Sequence, residues 1–314
     1  METARNYARA ARSEATQRAY AADWRHFSSW CRRSGYSPLP ADPRVVGLYL
    51  SACASGNPRP TVSTLERRLP ACPRATRSVE TGSIARIRTS PRSLPASAAG
   101  MAAPPVQKEA LLAEDILTMI ETLSNDLRGL RDRAILLVGF AGGLRRSEIV
   151  GLDTGPDQTE DGSGWVEFFD KGALITLARQ DRLARGGNRR GSADRSCPVE
   201  ALKTWMRLGR IAHGPLFRRV RGQNTVEESR LNDRHISRLV KRAAFDAGLR
   251  PDLPDKEREK LFSGHSLRAG LASSAEVDER FVQKQLGHTS AEMTRRYQRR
   301  RDRFRVNLTR ASGL

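Results

Sequence analysis

The sequence is poor in cysteine, in long apolar runs and in acid. Four of its 314 residues are cysteine (Cys31, Cys53, Cys72 and Cys197), far apart and without a C-x-x-C pair. That scatter argues against a disulfide framework or a cysteine-bound metal and fits reduced thiols in a cytosolic protein. No stretch approaches the roughly 18 consecutive apolar residues of a membrane span. No charged-then-apolar secretory leader opens the chain either. The expectation is a cytoplasmic protein with no membrane partner. Acidic residues number 35 against 55 lysines and arginines, a net charge of +20 and a pI of about 11.0. Arginine carries most of the excess, which favours bidentate contacts to phosphate, so nucleic acid is the leading partner. Internal repeats are absent, and no carboxylate cluster suits Mg²⁺, so neither metal nor cofactor is expected.

What is present divides into two parts, expected at residues 1–104 and 105–314, each long enough to bury its own core. In the first, Tyr20, Trp24, Phe27 and Trp30/Cys31 recur at helical steps on a helix that Gly35 ends. At that spacing the aromatic residues read as core in preference to base-stacking surfaces. The opposite face carries Arg18, Arg25, Arg32 and Arg33, and Arg18 and Arg25 are candidates for DNA contact. Asp42-Pro43 opens a second helix, whose buried face is expected from Val45, Val46, Leu48, Tyr49 and Cys53. A third begins near Thr61, with Val62 and Leu65 inward. Residues 69–104 then lose all apolar periodicity and read as a Pro/Ser/Ala/Arg linker.

The second part opens with a helix striped by Leu112, Ile116, Leu117, Ile120 and Leu123, followed by a buried helix over Ala134–Phe140 that stops at Gly142-Gly143. Leu144-Arg145-Arg146-Ser147-Glu148 starts a new helix. Its Arg145 is expected to be partly buried, in need of an anion and oriented by Glu148. Trp165–Phe169 and Leu174–Leu177 read as a hairpin turning at Asp170-Lys171-Gly172, whereas Ala178–Ser196 lacks the pattern of a third strand. Leu216-Phe217 is too short to assign. Helices resume at Pro198–Leu208 and Asn232–Ala247.

The last fifth concentrates the chemistry. His265 and Arg268, three apart, share one helical face. Leu286-Gly287-His288 reads as a helix end that turns the histidine outward. Nine residues on, Tyr297 stands with Arg295 and Arg296 in a run from Ser290 to Arg300. A phenol has a pKa near 10 and needs neighbouring positive charge or a base to attack at neutral pH. Two arginines can stabilise the charge of a pentacoordinate phosphoryl group, the task a metal performs elsewhere. Singly, each of these residues is as readily a packing or capping residue.

Gly-Leu-Arg-Arg-Ser-Glu, His-Ser-Leu-Arg-Ala-Gly, Leu-Gly-His and Arg-Arg-Tyr, in that order, resemble the motifs of the tyrosine recombinases, or phage-type integrases. The resemblance implies a mainly α fold: an N-terminal helical core-binding (SAM-like) domain, then an α-rich catalytic domain with a small antiparallel β-sheet. It implies that Arg145 and Arg268 bind the scissile phosphate, that His265 and His288 hydrogen-bond it, and that Tyr297 attacks phosphorus to give a 3′-phosphotyrosyl intermediate without metal or ATP. Arg146, Arg295 and Arg296 become further candidates for DNA contact. The implied partner is double-stranded DNA, with four protomers on two duplexes and the tail from Arg299 to Leu308 docking between subunits. One departure stands out. The family places a lysine, the acid for the leaving 5′-hydroxyl, on the hairpin between the second and third strands, yet residues 178–190 contain none. A catalytically degenerate DNA-binding relative and a type IB topoisomerase-like enzyme therefore stand beside the recombinase reading.

Overall fold

The computed structural model describes residues 14–57, 59–71, 108–170, 172–177, 180–187, 196–274 and 279–286, with some side chains among these left aside. Two compact units emerge, Met1–Val106 and Gln107–Leu314.

The first unit is helical. Helix α1 (Glu14–Arg33), α2 (Pro43–Ala54) and α3 (Val62–Ala71) surround a core of Phe27, Cys31, Tyr49, Leu50, Ala54 and Leu65. The aromatic stripe of α1 is therefore packing: Phe27 meets Tyr49 edge-on at 5.1 Å, and Trp24 and Trp30 pack at the margin. Asp42 caps α2 by accepting from Arg44 N at 2.8 Å, and Gly35 takes the left-handed conformation (φ +75°) just after α1. The expected face of α2 needs one correction: Leu48 is 52% exposed and Leu50 is buried. At 100° per residue Val46, Tyr49, Leu50 and Cys53 share a face, and Leu48 lies across from Val46.

The second unit is mainly α with two small sheets. Helices α4 (Ala113–Glu121) and α5 (Leu127–Ala141) lead into the five-residue α6 (Arg146–Val150). On α4, Ile116 and Ile120 are buried as expected, but Met119 completes the face while Leu112 and Leu117 remain exposed. Leu112 is the N-cap, its amide donating to the Asp115 carboxylate, and so precedes the helix whose period it was expected to share. The principal sheet has the order β1 (Leu152–Asp153), β2 (Gly164–Phe169), β3 (Gly172–Leu177) and β4 (Gln180–Gly187). It is antiparallel from β2 to β4, with β1 added in parallel.

β4 corrects the expectation that Ala178–Ser196 lacks a third strand. It pairs from Leu177↔Gln180 to Gly172↔Gly187 along the free edge of β3. A ladder partner, not alternation, decides strand formation there, and charged residues on an edge strand also block further pairing.

Next come α7 (Pro198–Leu208) and a second hairpin, β5 (Arg218–Arg221) with β6 (Thr225–Arg230), which the sequence did not announce. Leu216 and Phe217, fully buried just before it, carry its connection into the core, and Trp205 Nε1 donates to Leu216 O at 2.9 Å. Helices α8 (Asp233–Asp246), α9 (Asp255–Leu261), α10 (Gly264–Ser274) and α11 (Glu279–Leu286) complete the unit. The core runs through α5, α7, α8 and the inner face of the principal sheet. Among the described residues no helix is long and apolar enough to cross a membrane.

Candidate active site

Of the five expected catalytic residues, Arg145, His265 and Arg268 lie within the described part of the second unit. Arg145 is the N-cap of α6, in extended conformation (φ −75°, ψ 152°), not a residue of its first turn. Glu148 reaches back, one carboxylate oxygen accepting from Arg145 N at 2.8 Å and the other pairing with the Arg145 guanidinium. The pairing expected of Glu148 is thus present, but Arg145 is less buried than expected, with 46% of its side chain exposed. The N-cap position lifts it out of the packed turn. Arg146, the first helical residue, pairs with Asp233 at 3.1 Å and reaches Ser237 Oγ at 3.4 Å, tying α6 to the start of α8.

Arg268 on α10 is buried. Its Nη1 donates to Gly143 O at 2.6 Å and its Nη2 to Leu286 O, the last residue of α11. One guanidinium thereby joins the turn before Arg145 to the helix end before His288. Gly143 permits this approach: its φ is +58°, and a Cβ there would lie 2.5 Å from Leu286 Cδ2 and 2.8 Å from Leu271 Cδ2. His265 stands one turn before Arg268 and keeps an exposed edge. Desolvation by the surrounding side chains, then the charges of Arg268 and Arg145, hold its imidazole below the ordinary histidine value. The ring is therefore neutral near pH 7, able to accept or donate one proton. Gly143 and Arg268 are 125 positions apart in sequence, so the fold brings these motifs together.

Other expected residues fall elsewhere. His288, Arg295, Arg296, Tyr297, Lys171 and the tail beyond Arg299 lie outside the described residues. Arg182 is in β4, described by its backbone alone. Arg18 and Arg25 are exposed on α1 in the first unit. Among the described residues there is no group of three or more His, Cys, Asp or Glu placed to hold a metal ion.

Two ionic clusters behind the site were not anticipated. Arg131 and Asp132, both fully buried on α5, bond to each other, to Arg218 O, and to His235 and Arg242 of α8. Arg230 anchors the other end of α6. The one sequence cue was the charged run Arg131-Asp132-Arg133, which leads into the apolar stretch Ala134–Phe140. For Arg230 there was none, because the hairpin that carries it was not visible.

The chain is mainly helical in two units, and Arg268 ties the Gly142-Gly143 turn before Arg145 to α10, which also carries His265. Residues 109–303 match the model of the phage integrase family, and the chain belongs to that family. The "Integrase/recombinase xerD homolog" of Selenomonas ruminantium is 31% identical over 312 residues, 94% of this chain and 84% of that protein. "Tyrosine recombinase XerC 1" of Ralstonia nicotianae is 30% identical over 201 residues, 60% of this chain but 55% of its own length. Among solved structures, the XerH site-specific recombinase bound to palindromic difH substrate is similar at TM-score 0.55 and 17% identity, covering 95% of this chain and 79% of that one. A lambda integrase tetramer bound to a Holliday junction gives 0.53 and 14%, covering 91% and 72%. At these identities the structures show the shared fold.

Proposed function

We propose that this chain is a site-specific DNA recombinase that cuts and rejoins strands through a 3′-phosphotyrosyl intermediate, without metal or ATP. The observation that carries the proposal is that Arg268, on the helix that also holds His265, bonds the Gly143 carbonyl two residues before Arg145, bringing distant motifs together. In this reading the arginines neutralise the non-bridging oxygens of the scissile phosphate. The Tyr297 oxygen attacks phosphorus, the bond to the 5′-oxygen breaks, and neutral His265 with His288 assists the proton transfers. The phosphotyrosyl ester keeps the bond energy for religation. The first unit is read as the core-binding half of a DNA clamp, with Arg18 and Arg25 toward the backbone, and the working assembly as four protomers on two duplexes. Acting on bacterial or mobile-element DNA, the protein would work in the cytoplasm, at the nucleoid.

A second reading has a specific observation in its favour. β4 and the link before it, residues 178–187, contain no lysine to protonate the leaving 5′-oxygen. Water or Arg182 must then serve, and loss of a general acid costs about 10²–10⁴ in rate. A relative that binds DNA without turnover fits that deficit.

Nicked suicide duplexes cut from DNA flanking the gene, resolved on denaturing gels beside Tyr297→Phe, separate the two. A covalent adduct that vanishes in the variant is the expected result. Tight, salt-sensitive binding with no adduct selects the binding-only relative, and an adduct that persists in the variant moves the nucleophile elsewhere.

A further inference from the structure

Helix α6 has five residues, too few to stand by itself. Its front end carries Arg145; its rear end is closed by Arg230, the last residue of β6. Arg230 Nη1 donates to Val150 O at 2.8 Å, a carbonyl of the last turn of α6, and to Leu152 O at 3.2 Å in β1 just beyond it. Its Nη2 donates to Asp153 Oδ1 at 2.8 Å, Thr159 Oγ1 at 2.6 Å and Asp161 Oδ1 at 3.0 Å, and its Nε to Asp161 Oδ2 at 3.0 Å. All five donors of the guanidinium are engaged. Thr159 in turn donates to Asp153 Oδ2 at 2.7 Å, so the cation, two carboxylates and a hydroxyl close into one network. The side chain of Arg230 is 12% exposed and that of Asp153 4%. Arg230 leads directly into Leu231 and the Asn232 cap of α8, whose first turn holds Arg146 through Asp233.

We propose that Arg230 is a positioning residue for the reaction: by clamping the rear of α6 it fixes where Arg145 presents its charge to the scissile phosphate. The proposal rests on the recombinase reading of Arg145. The lever is short, about 7.5 Å of helix at 1.5 Å per residue. A lysine at 230 keeps the charge near Asp153 but cannot span both carbonyls and the carboxylates. Misplacement of a catalytic group by about 1 Å costs up to about 100-fold.

The test uses the full chain as Arg230→Lys and as Asp161→Asn. The second variant weakens the fork from its exposed side and leaves the buried Asp153 paired, so it keeps the test alive if the first does not fold. Adduct formation is timed on a suicide duplex carrying either the native phosphate or a neutral methylphosphonate at the scissile position. Expected is a loss of about 10- to 100-fold on the native phosphate with DNA affinity within about twofold of wild type. On methylphosphonate, where no charge awaits Arg145, the loss shrinks below about threefold. An equal loss on both substrates, or none on the native one, overturns the proposal. A second readout needs no activity: the Arg145 Nε–Hε resonance of the DNA-free protein, assigned by its disappearance in Arg145→Lys, must shift in both variants. If it does not shift, Arg230 does not position Arg145. A wild-type chain that forms no adduct sinks the recombinase reading alone, and the resonance then decides the coupling.

Discussion

Replacing Asp132 by Asn probes the ionic cluster on which α5, α8 and the second hairpin converge. Arg131 donates to Asp132 Oδ1 through Nε at 2.9 Å and Nη2 at 2.7 Å, while Arg242 donates to Oδ2 at 3.0 Å. Both Asp132 and Arg131 are fully buried, so the variant leaves an interior guanidinium without its counter-charge. Removing one partner of a buried pair costs about 3–5 kcal/mol. Asn keeps one acceptor and Arg242 can turn to water, which places the expected loss near 3 kcal/mol. With a urea slope of about 2–3 kcal/mol/M, the midpoint of the second unit should fall by roughly 1–1.5 M.

The pH dependence follows from the same contacts. Burial alone raises the Asp132 carboxyl, but hydrogen bonding from the His235 side and the charge and hydrogen bonds of Arg131 outweigh it, and the net direction is below the ordinary 3.8. His235 Nε2 is 3.6 Å away and itself 2.9 Å from Arg131, so Arg131 is the deciding partner. A depressed folded-state value contributes stability that is present above the unfolded value and lost as pH falls through the folded one. The gap between wild type and variant should be full at pH 7 and narrow below about pH 3.9. A midpoint shift under about 0.3 M at neutral pH, or a gap that persists in acid, would refute the account.

Three further outcomes are expected. By NMR, His265 should titrate below 6.5, and Arg145→Met should move it part of the way back up, since desolvation and Arg268 remain. Because its folded value is depressed, protonation of the unfolded chain below pH 6.5 works against folding, while the folded protein keeps its neutral imidazole, and adduct formation its proton carrier, until the pH falls through that lower folded value. Gly270→Ala places a Cβ 1.7 Å from Leu111 O, a backbone atom that must give way. Despite the better helix propensity of alanine, the melt should show a loss of about 1–3 kcal/mol or more, with slowed chemistry because α10 carries His265 and Arg268. Trp205→Phe removes the donor to Leu216 O from a fully buried site, and denaturant unfolding should register about 2–4 kcal/mol.

The sequence by itself determined what is local and periodic. The aromatic stripe on α1, the Asp42-Pro43 start of α2, the apolar run of α5 and the β2–β3 hairpin were legible, because helix caps, period and turn chemistry act over a few residues. So were the motif residues, since they stand in fixed short spacings. Only the tertiary structure decided the rest. Strand β4 exists because β3 offers an edge, and the β5–β6 hairpin because Leu216 and Phe217 sink into a core made by distant helices. Arg145 proved a cap rather than a helical residue, and Arg268 a bridge between Gly143 and Leu286. Arg131, Asp132 and Arg230 gave no functional signal, because a buried charge is defined by partners roughly 70 to 110 positions away in the chain. Burial, edge pairing and charge compensation are long-range terms, and no short window of sequence contains them.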